Sequence, residues 1–210
     1  MNSTITSYCR IKNNQINLNG ELVFSTVNTN FAAFSKQTYH HFKLNYLKFF
    51  KMDNLSKLAF INSELLLQNT KLKEKYKPEE IAVCISNTAS SLDTDRKHNE
   101  SISNRKNYFP SPSVFVYTLP NILVGEICIR NNFKGENSFF VFDNFESAFM
   151  TSQVNQLMND ALCKCCVMGW LDFENEKKDA LLCLIEKSEN KNLLELTDEN
   201  YKNLYFNTLI

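Results

Sequence analysis

Apolar positions in this chain fall into short runs with two different periods. After Met52, the residues Leu55, Leu58, Ala59, Phe60, Leu65 and Leu66 recur near a helical repeat. That spacing predicts an amphipathic helix running to about Leu72, with Asp53 as its cap. A Lys-rich run follows, and Pro78 marks the break. Residues 81–85, Ile-Ala-Val-Cys-Ile, are continuously apolar and of strand length, the pattern of a strand covered on both faces. Residues 86–91 read as a turn. Residues 93–107 are charged and carry no apolar stripe, so they form a surface helix or a mobile loop. Residues 118–132 read as a second helix, capped by Thr118 and with Pro120 in its first turn. Residues 139–142 read as a buried strand. A third helix is expected over 147–162, with Ala148, Val154, Leu157, Met158 and Leu162 on its inner face. Residues 165–168 and 180–185 are two further apolar runs, and the charged turn 174–179 between them makes the pair an antiparallel hairpin.

The two ends are less regular. Asn19-Gly20, between Ile16–Leu18 and residues 22–24, is a hairpin signal, but the rest of residues 1–36 is mixed. Residues 39–50 are aromatic and basic and suit a loop or a short helix. Beyond Ser188 the chain is polar, with 193–196 and 201–210 as candidate short elements. Strand, helix, strand, helix, strand and hairpin in this order imply an α/β layer fold.

Composition narrows the function classes. The 210 residues suit one domain or two small ones, 43% of them are apolar, and seventeen Phe supply large core side chains. Formal net charge is zero, which argues against a nucleic-acid binder. No run reaches the roughly 18 apolar residues that a membrane span needs. Residues 1–14 lack the apolar core of a signal peptide, so the chain is expected in the cytoplasm. There seven Cys should be thiols. Cys163, Cys165 and Cys166 cluster, but a zinc site wants a second ligand pair, and His40, His41 and His98 form no metal pattern. Buried structural thiols are the expectation, with neither metal nor cofactor.

One stretch carries more. Ser-Pro-Ser-Val-Phe-Val-Tyr-Thr-Leu-Pro-Asn at 111–121 leads into an apolar segment with Gly125 and Arg130, then Lys-Gly-Glu-Asn at 134–137. Phe139-Phe140-Val141-Phe142 and a turn at Asp143-Asn144 follow. This order resembles the centre of the β-ketoacyl-acyl-carrier-protein synthases, the condensing enzymes of fatty-acid and polyketide synthesis. Met52-Asp53 before the first helix, residues 81–92 ending Ser-Ser-Leu, Gly169-Trp170 within 165–173, and residues 180–186 are similar to further landmarks of the family in the same order. The likeness covers about residues 45–187.

The resemblance implies an α/β fold, a half-thiolase-like layer with a mixed sheet, formed by residues 1–210 as a single ketosynthase N-terminal-like domain. For an ordinary member it also implies acyl transfer to a Cys, decarboxylation of a malonyl thioester and carbon–carbon bond formation. Two departures bear on that chemistry. The nucleophile position falls at or beside Asn144, and no Cys lies between Cys128 and Cys163. Asn has neither an ionisable proton nor useful nucleophilicity. The family also builds its fold from two similar halves. This chain has the length of one, and the second half's two histidines have no counterpart after Ile185.

The expected reading is therefore a β-ketoacyl synthase-like protein of fatty-acid or polyketide (pigment) synthesis without condensing activity. It would bind an acyl carrier protein or a full-length ketosynthase, as a homo- or heterodimer. The alternative is an acyl-thioester-processing enzyme with a displaced nucleophile such as Cys84 or Cys165. That thiol would need an adjacent base, with His98 and His41 as candidates. Asp143 and Glu146 are carboxylates near the turn, either a pair for acid–base work or solvated charges. Lys43, Lys48 and Lys51 could face an acidic carrier protein or simply solvent. Phe139, Phe140, Val141 and Phe142 are both core and interface candidates, because alternate side chains of a strand point opposite ways. If Phe140 faces a partner, Val141 faces inward. Half of a thiolase fold would also leave one sheet face in need of cover and the strand at 139–142 near an edge.

Overall fold

A computed structural model describes residues 2–104, 106 and 108–206. Arg105 and Asn107 of the charged segment, and the last four residues of the 201–210 stretch, lie outside the described residues. The strands are β1 (Asn2–Lys12), β2 (Gln15–Leu18), β3 (Glu21–Ser25), β4 (Ile81–Asn87), β5 (Asn137–Val141), β6 (Cys165–Glu174), β7 (Lys177–Ser188) and β8 (Leu194–Glu195). They join in one mixed sheet of order β3-β2-β1-β7-β6-β4-β5, with β8 beside the start of β1. β4 runs parallel to β5 and β6, and β1, β2, β3, β6 and β7 pair antiparallel along the rest. The four apolar runs expected to be strands are thus consecutive neighbours in the sheet.

The helices are α1 (Phe31–His41), α2 (Asn54–Leu67), α3 (Leu72–Lys75), α4 (Leu92–Ser103), α5 (Pro112–Val116), α6 (Ile122–Asn131), α7 (Ser147–Asn159) and α8 (Asp198–Phe206). They cover both faces of the sheet, because alternate strand residues feed two separate cores. Ile81, Val83, Ile85, Cys165, Val167, Leu182 and Leu184 meet α1, α2 and α6 on one side. Ala82, Cys84, Cys166, Met168, Cys183 and Ile185 meet α7 and α8 on the other. Full burial of a Leu or Ile is worth about 1.5–3 kcal/mol, so both layers are held by ordinary packing. Gly169 marks the tightest point between strands, since a Cβ there would collide with the Leu181 carbonyl oxygen and the Leu182 side chain.

β1 is absent from the sequence-based reading because its first half is polar. Thr4 and Thr6 nevertheless find partners there: Thr4 donates to the Glu186 carbonyl at 3.0 Å, and Thr6 to the Glu186 carboxylate at 2.7 Å. The register against β7 slips between Ile5 and Ser7. This bulge reverses the strand's phase, so Ile5 enters one core while Cys9 and Ile11 enter the other. α1 was also missed, although Phe31, Phe34, Ser35, Thr38 and Tyr39 are buried at helical spacing behind an Asn30 cap.

Several expected boundaries move. α2 begins after Asp53, whose Oδ1 accepts from the Ser56 amide at 2.9 Å as expected. It stops at Leu67 and not near Leu72, because no apolar stripe continues and Lys71 adopts a left-handed φ of 50°. The second helix starts at Ile122 and not at Thr118, whose hydroxyl turns back to the Phe115 carbonyl at 2.7 Å. A separate short helix, α5, precedes it, with Ser111 as cap and Pro112 in its first turn. α7 ends at Asn159, short of Leu162, which is exposed, and Ala148 at its start is on the solvent side and not inward. The charged 92–103 segment is helical. The hairpin strands are longer than expected, with Asn175 and Glu176 alone at left-handed φ between them.

Two corrections bear on function. β5 is the edge of the sheet, as half of the fold implies, but it is only half-buried, with Val141 50% exposed, and not the buried strand expected. The sheet face expected to need cover is closed by α7 and by the segment from β8 to α8, where Leu196, Tyr201 and Leu204 are buried.

Candidate functional site

The parallel strands β5, β4 and β6 end side by side, and the carboxyl ends of such strands are where open α/β sheets place their ligands. The turn from β5 into α7 carries Asp143 and Asn144, both exposed. Its start is fixed by the Phe142 amide donating to the Asn87 carbonyl at 3.0 Å. Glu146 accepts from the Phe149 amide at 3.3 Å and so caps α7. Ser147, the first residue of that helix, is hydrogen-bonded to Asp198 at the start of α8. Asp143 and Glu146 are therefore not assembled into an acid–base pair, since one faces solvent and the other is spent on a helix end.

The neighbouring turn after β4 is closed by its own side chains. Asn87 is fully buried, accepts from the Ser90 amide and donates to the Ser90 carbonyl, both at 2.9 Å. Ser90 takes a left-handed φ of 52°. The amides of Thr88 and Ala89 donate to Asp172 Oδ1 at 3.2 and 3.0 Å. Burial raises the Asp172 carboxyl above its ordinary range, and these two amides offset part of that rise. The backbone donors of this turn are thus occupied by a carboxylate of the chain itself. Sequence reasoning missed Asp172, whose role depends on β6 lying beside β4.

Aromatic rings fill the space behind Asn144. Phe145 stacks on Tyr205 at 3.7 Å between centroids and 4° between planes, and it meets Trp170 at 5.6 Å and Tyr201 at 5.1 Å. On the other side Phe140, Phe142 and Phe149 pack together. Phe140 and Phe142 therefore face the α7 layer, Phe139 packs toward α6, and Val141 is the outward residue. This reverses the expected orientation of Phe140 and Val141.

The cysteines offer no activated nucleophile. Cys84, Cys163, Cys165 and Cys166 are buried and free. Burial pushes Cys163 up to about 11, and it raises Cys84, Cys165 and Cys166 as well. Cys84 lies 3.1 Å from the Ser138 hydroxyl, and Cys163 meets the Met158 sulfur at 3.5 Å. The candidate bases stand elsewhere: His98 packs on Phe115, and His41 on Phe24 and Phe42. Among the described residues no three His, Cys, Asp or Glu stand close enough together to hold a metal ion. No described helix is long and apolar enough to cross a membrane.

The basic, aromatic stretch is anchored from within. Tyr39 stacks on Phe49 at 4.8 Å, and Lys48 reaches the buried Glu126 at 2.8 Å, which also accepts from the Tyr117 hydroxyl at 3.1 Å. Lys43 and Lys51 stay in solvent, beside Leu47, which is 81% exposed.

No family model and no curated protein matches the sequence. Solved structures do match in shape. The ishigamide ketosynthase/chain length factor is 15% identical with a TM-score of 0.68, over 93% of this chain and 65% of that one. A ketosynthase in complex with its chain length factor from Xenorhabdus doucetiae is 12% identical with a TM-score of 0.59, over 90% of this chain and 81% of that one. A type II polyketide synthase acyl-carrier protein in complex with its ketosynthase gives 11% identity and a TM-score of 0.60, over 90% and 63%. The chain spans 65% and 63% of the length of the first and third of these. At such identities the likeness establishes architecture: this chain has the mixed-sheet, thiolase-like fold of the ketosynthases.

Proposed function

We propose that the chain is a single ketosynthase N-terminal-like domain of fatty-acid or polyketide assembly that does not itself condense acyl groups. It acts by binding an acyl carrier protein or a full-length ketosynthase. The turn between β5 and α7 carries this reading. Where the resemblance places a nucleophile the chain presents Asn144, with Phe145 turned inward onto Tyr205 and Glu146 occupied as a helix cap. The buried thiols with raised pKa values argue against a displaced Cys.

The exposed edge supports partner binding. β5 has a neighbour on one side only, and an edge strand offers unpaired backbone groups to another chain. Val141 on β5, Ile129 on α6 and Phe149 on α7 add exposed apolar surface on the elements around it. Zero net charge gives little repulsion to a second copy. Solved ketosynthases of this shape are described with a chain length factor and with an acyl-carrier protein, and partners of that kind suit the same role here.

The test has two arms. Purified protein incubated with acyl- and malonyl-carrier substrates should give no condensed product. Sedimentation at micromolar concentration should show a dimer, alone or with a ketosynthase. Condensed product that disappears on Cys84→Ser or Cys165→Ser would overturn the first claim, and a monomer under both conditions would overturn the second.

A further inference from the structure

A cavity of about 260 Å³ lies where the start of α2, the first turns of α4 and the short helix α5 meet. Its polar wall is made by Lys51, Asp53, Lys57, Thr94, Lys97 and Ser113. Three ammonium groups therefore face one carboxylate. That carboxylate is spent within the fold: Asp53 Oδ1 accepts from the Ser56 amide at 2.9 Å, and Oδ2 accepts from the Thr94 hydroxyl at 2.8 Å. The end of α2 is already capped, so the charge of the cavity comes from side chains and not from the helix.

The three lysines are not equally provided for. Lys97 reaches Asp93 Oδ2 at 2.5 Å, and the same oxygen accepts from Asn54 Nδ2 at 3.1 Å. Lys51 and Lys57 form no ion pair among the described residues. Lys57 is half-buried. Loss of water lowers its ammonium below the ordinary value, Asp53 opposes that, and Lys97 adds to it. A partly desolvated ammonium short of counter-charge is unfavourable, and an anion in the cavity supplies what is missing. The mouth is open, because Lys51, Lys97 and Ser113 are exposed. The Ser113 hydroxyl lies 2.9 Å from that of Ser111. It can accept from Ser111 and still donate its own proton to an oxyanion.

We infer that this cavity binds the phosphate group of a small ligand, free phosphate or a phosphate monoester, with Lys51 and Lys57 as counter-charges and Ser113 as a hydrogen-bond donor. The site shares no residue with the β5 edge. It stands whether or not the chain binds a carrier protein or a ketosynthase.

Inorganic phosphate and glycerol 3-phosphate are the probes, each titrated into the full chain near neutral pH with ionic strength held constant by sodium chloride. Backbone amide shifts should move saturably at 51–57, 94–97 and 113–117 and little elsewhere. Lys57→Gln should weaken binding about tenfold, the loss of one charge-assisted hydrogen bond. Lys51→Gln, at an exposed position, should weaken it about threefold. Lys36→Gln, exposed on α1, should change nothing. Tighter binding of glycerol 3-phosphate than of phosphate identifies a monoester as the ligand, and equal or weaker binding identifies free phosphate. Shifts that fail to saturate, that scatter over lysines across the surface, or that sodium chloride alone reproduces would each overturn the inference. So would an affinity unchanged in both lysine variants. Should Lys57→Gln not fold, an unchanged affinity in Lys51→Gln decides against the site.

Discussion

Arg130 on α6 grips Glu64 on α2 with two edges of its guanidinium: Nε donates to Oε1 at 2.9 Å and Nη2 to Oε2 at 2.7 Å. The same group lies over the Tyr46 ring at 4.9 Å. Two charge-assisted bonds and a stacked face pin together the two helices that cover one side of the sheet. Glu64→Ala should cost about 1.5–3 kcal/mol, read as a lower melting temperature. Arg130→Lys should recover less than half of what Arg130→Ala loses, since an ammonium neither forks nor stacks. A Lys variant that melts like the wild type would refute the role of the fork.

Asn62 on α2 is fully buried, and neither its Oδ1 nor its Nδ2 has a hydrogen-bond partner. Leu has the same branched shape, though bulkier, and no polar group to desolvate. Asn62→Leu should therefore raise stability by about 1–3 kcal/mol in chemical denaturation. A fall would show that the amide is bonded in solution.

Val83 and Val141 look alike in sequence and should behave differently. Val83 is 1% exposed on β4, so Val83→Asp buries an unpaired charge at a cost of several kcal/mol and should prevent folding. Val141 projects from the edge strand, so Val141→Asp should fold and melt normally. By sedimentation it should dissociate the dimer if the β5 edge is the contact. A misfolded Val141→Asp would return that side chain to the core.

Glu186 should make the fold acid-sensitive. Burial opposes its charge, but hydrogen bonds from Thr6, Tyr76 and Lys75 more than compensate and hold its carboxyl below the ordinary value near 4.5. A depressed carboxyl stabilises the fold above its unfolded pKa, and that contribution is lost as pH falls from about 4.5 through the folded value. Glu186→Gln should therefore lose stability at pH 7 and show a flatter decline below pH 4.5 than the wild type. Parallel melting curves for the two proteins across that range would contradict this.

The parts of the fold legible in the sequence were those whose side chains announce their surroundings locally. Residues 81–85 are apolar at every position because both faces of β4 are covered, and the hairpin of β6 and β7 showed for the same reason. β1 was illegible because Thr4 and Thr6 find their hydrogen-bond partner in Glu186, some 180 positions away, and no local pattern records that. α1 did carry a readable stripe, hidden by the polar Ser35 and Thr38 within it.

The Asn144 turn was placed by resemblance, but its surroundings were not foreseeable. Asp172 meets the β4 turn, and Tyr205, under Arg10, meets Phe145, only once three distant segments are ordered around the sheet. The edge position of β5 followed from the half-fold resemblance, but its incomplete burial did not. Phe139-Phe140-Val141-Phe142 reads as enclosed because its apolar content is high, yet Val141 is 50% exposed and the three Phe are only partly buried.

The pairing of β1 with β7 also constrains how the molecule forms. Arg10 bonds to the Ala180 carbonyl, 170 residues further along, whereas β6 and β7 zip together across the two-residue turn from Glu174 to Lys177. Closing a loop costs more entropy the longer it is, and long-range strand pairing slows folding. β1, made before the other strands of this sheet, is therefore the one that must wait. Until the distant hairpin is made, β1 has the short hairpin β2–β3 as its neighbour and an unpaired edge on its other side. Its Thr- and Ser-rich first half, unhelpful as a signature of structure, keeps that waiting edge hydrophilic.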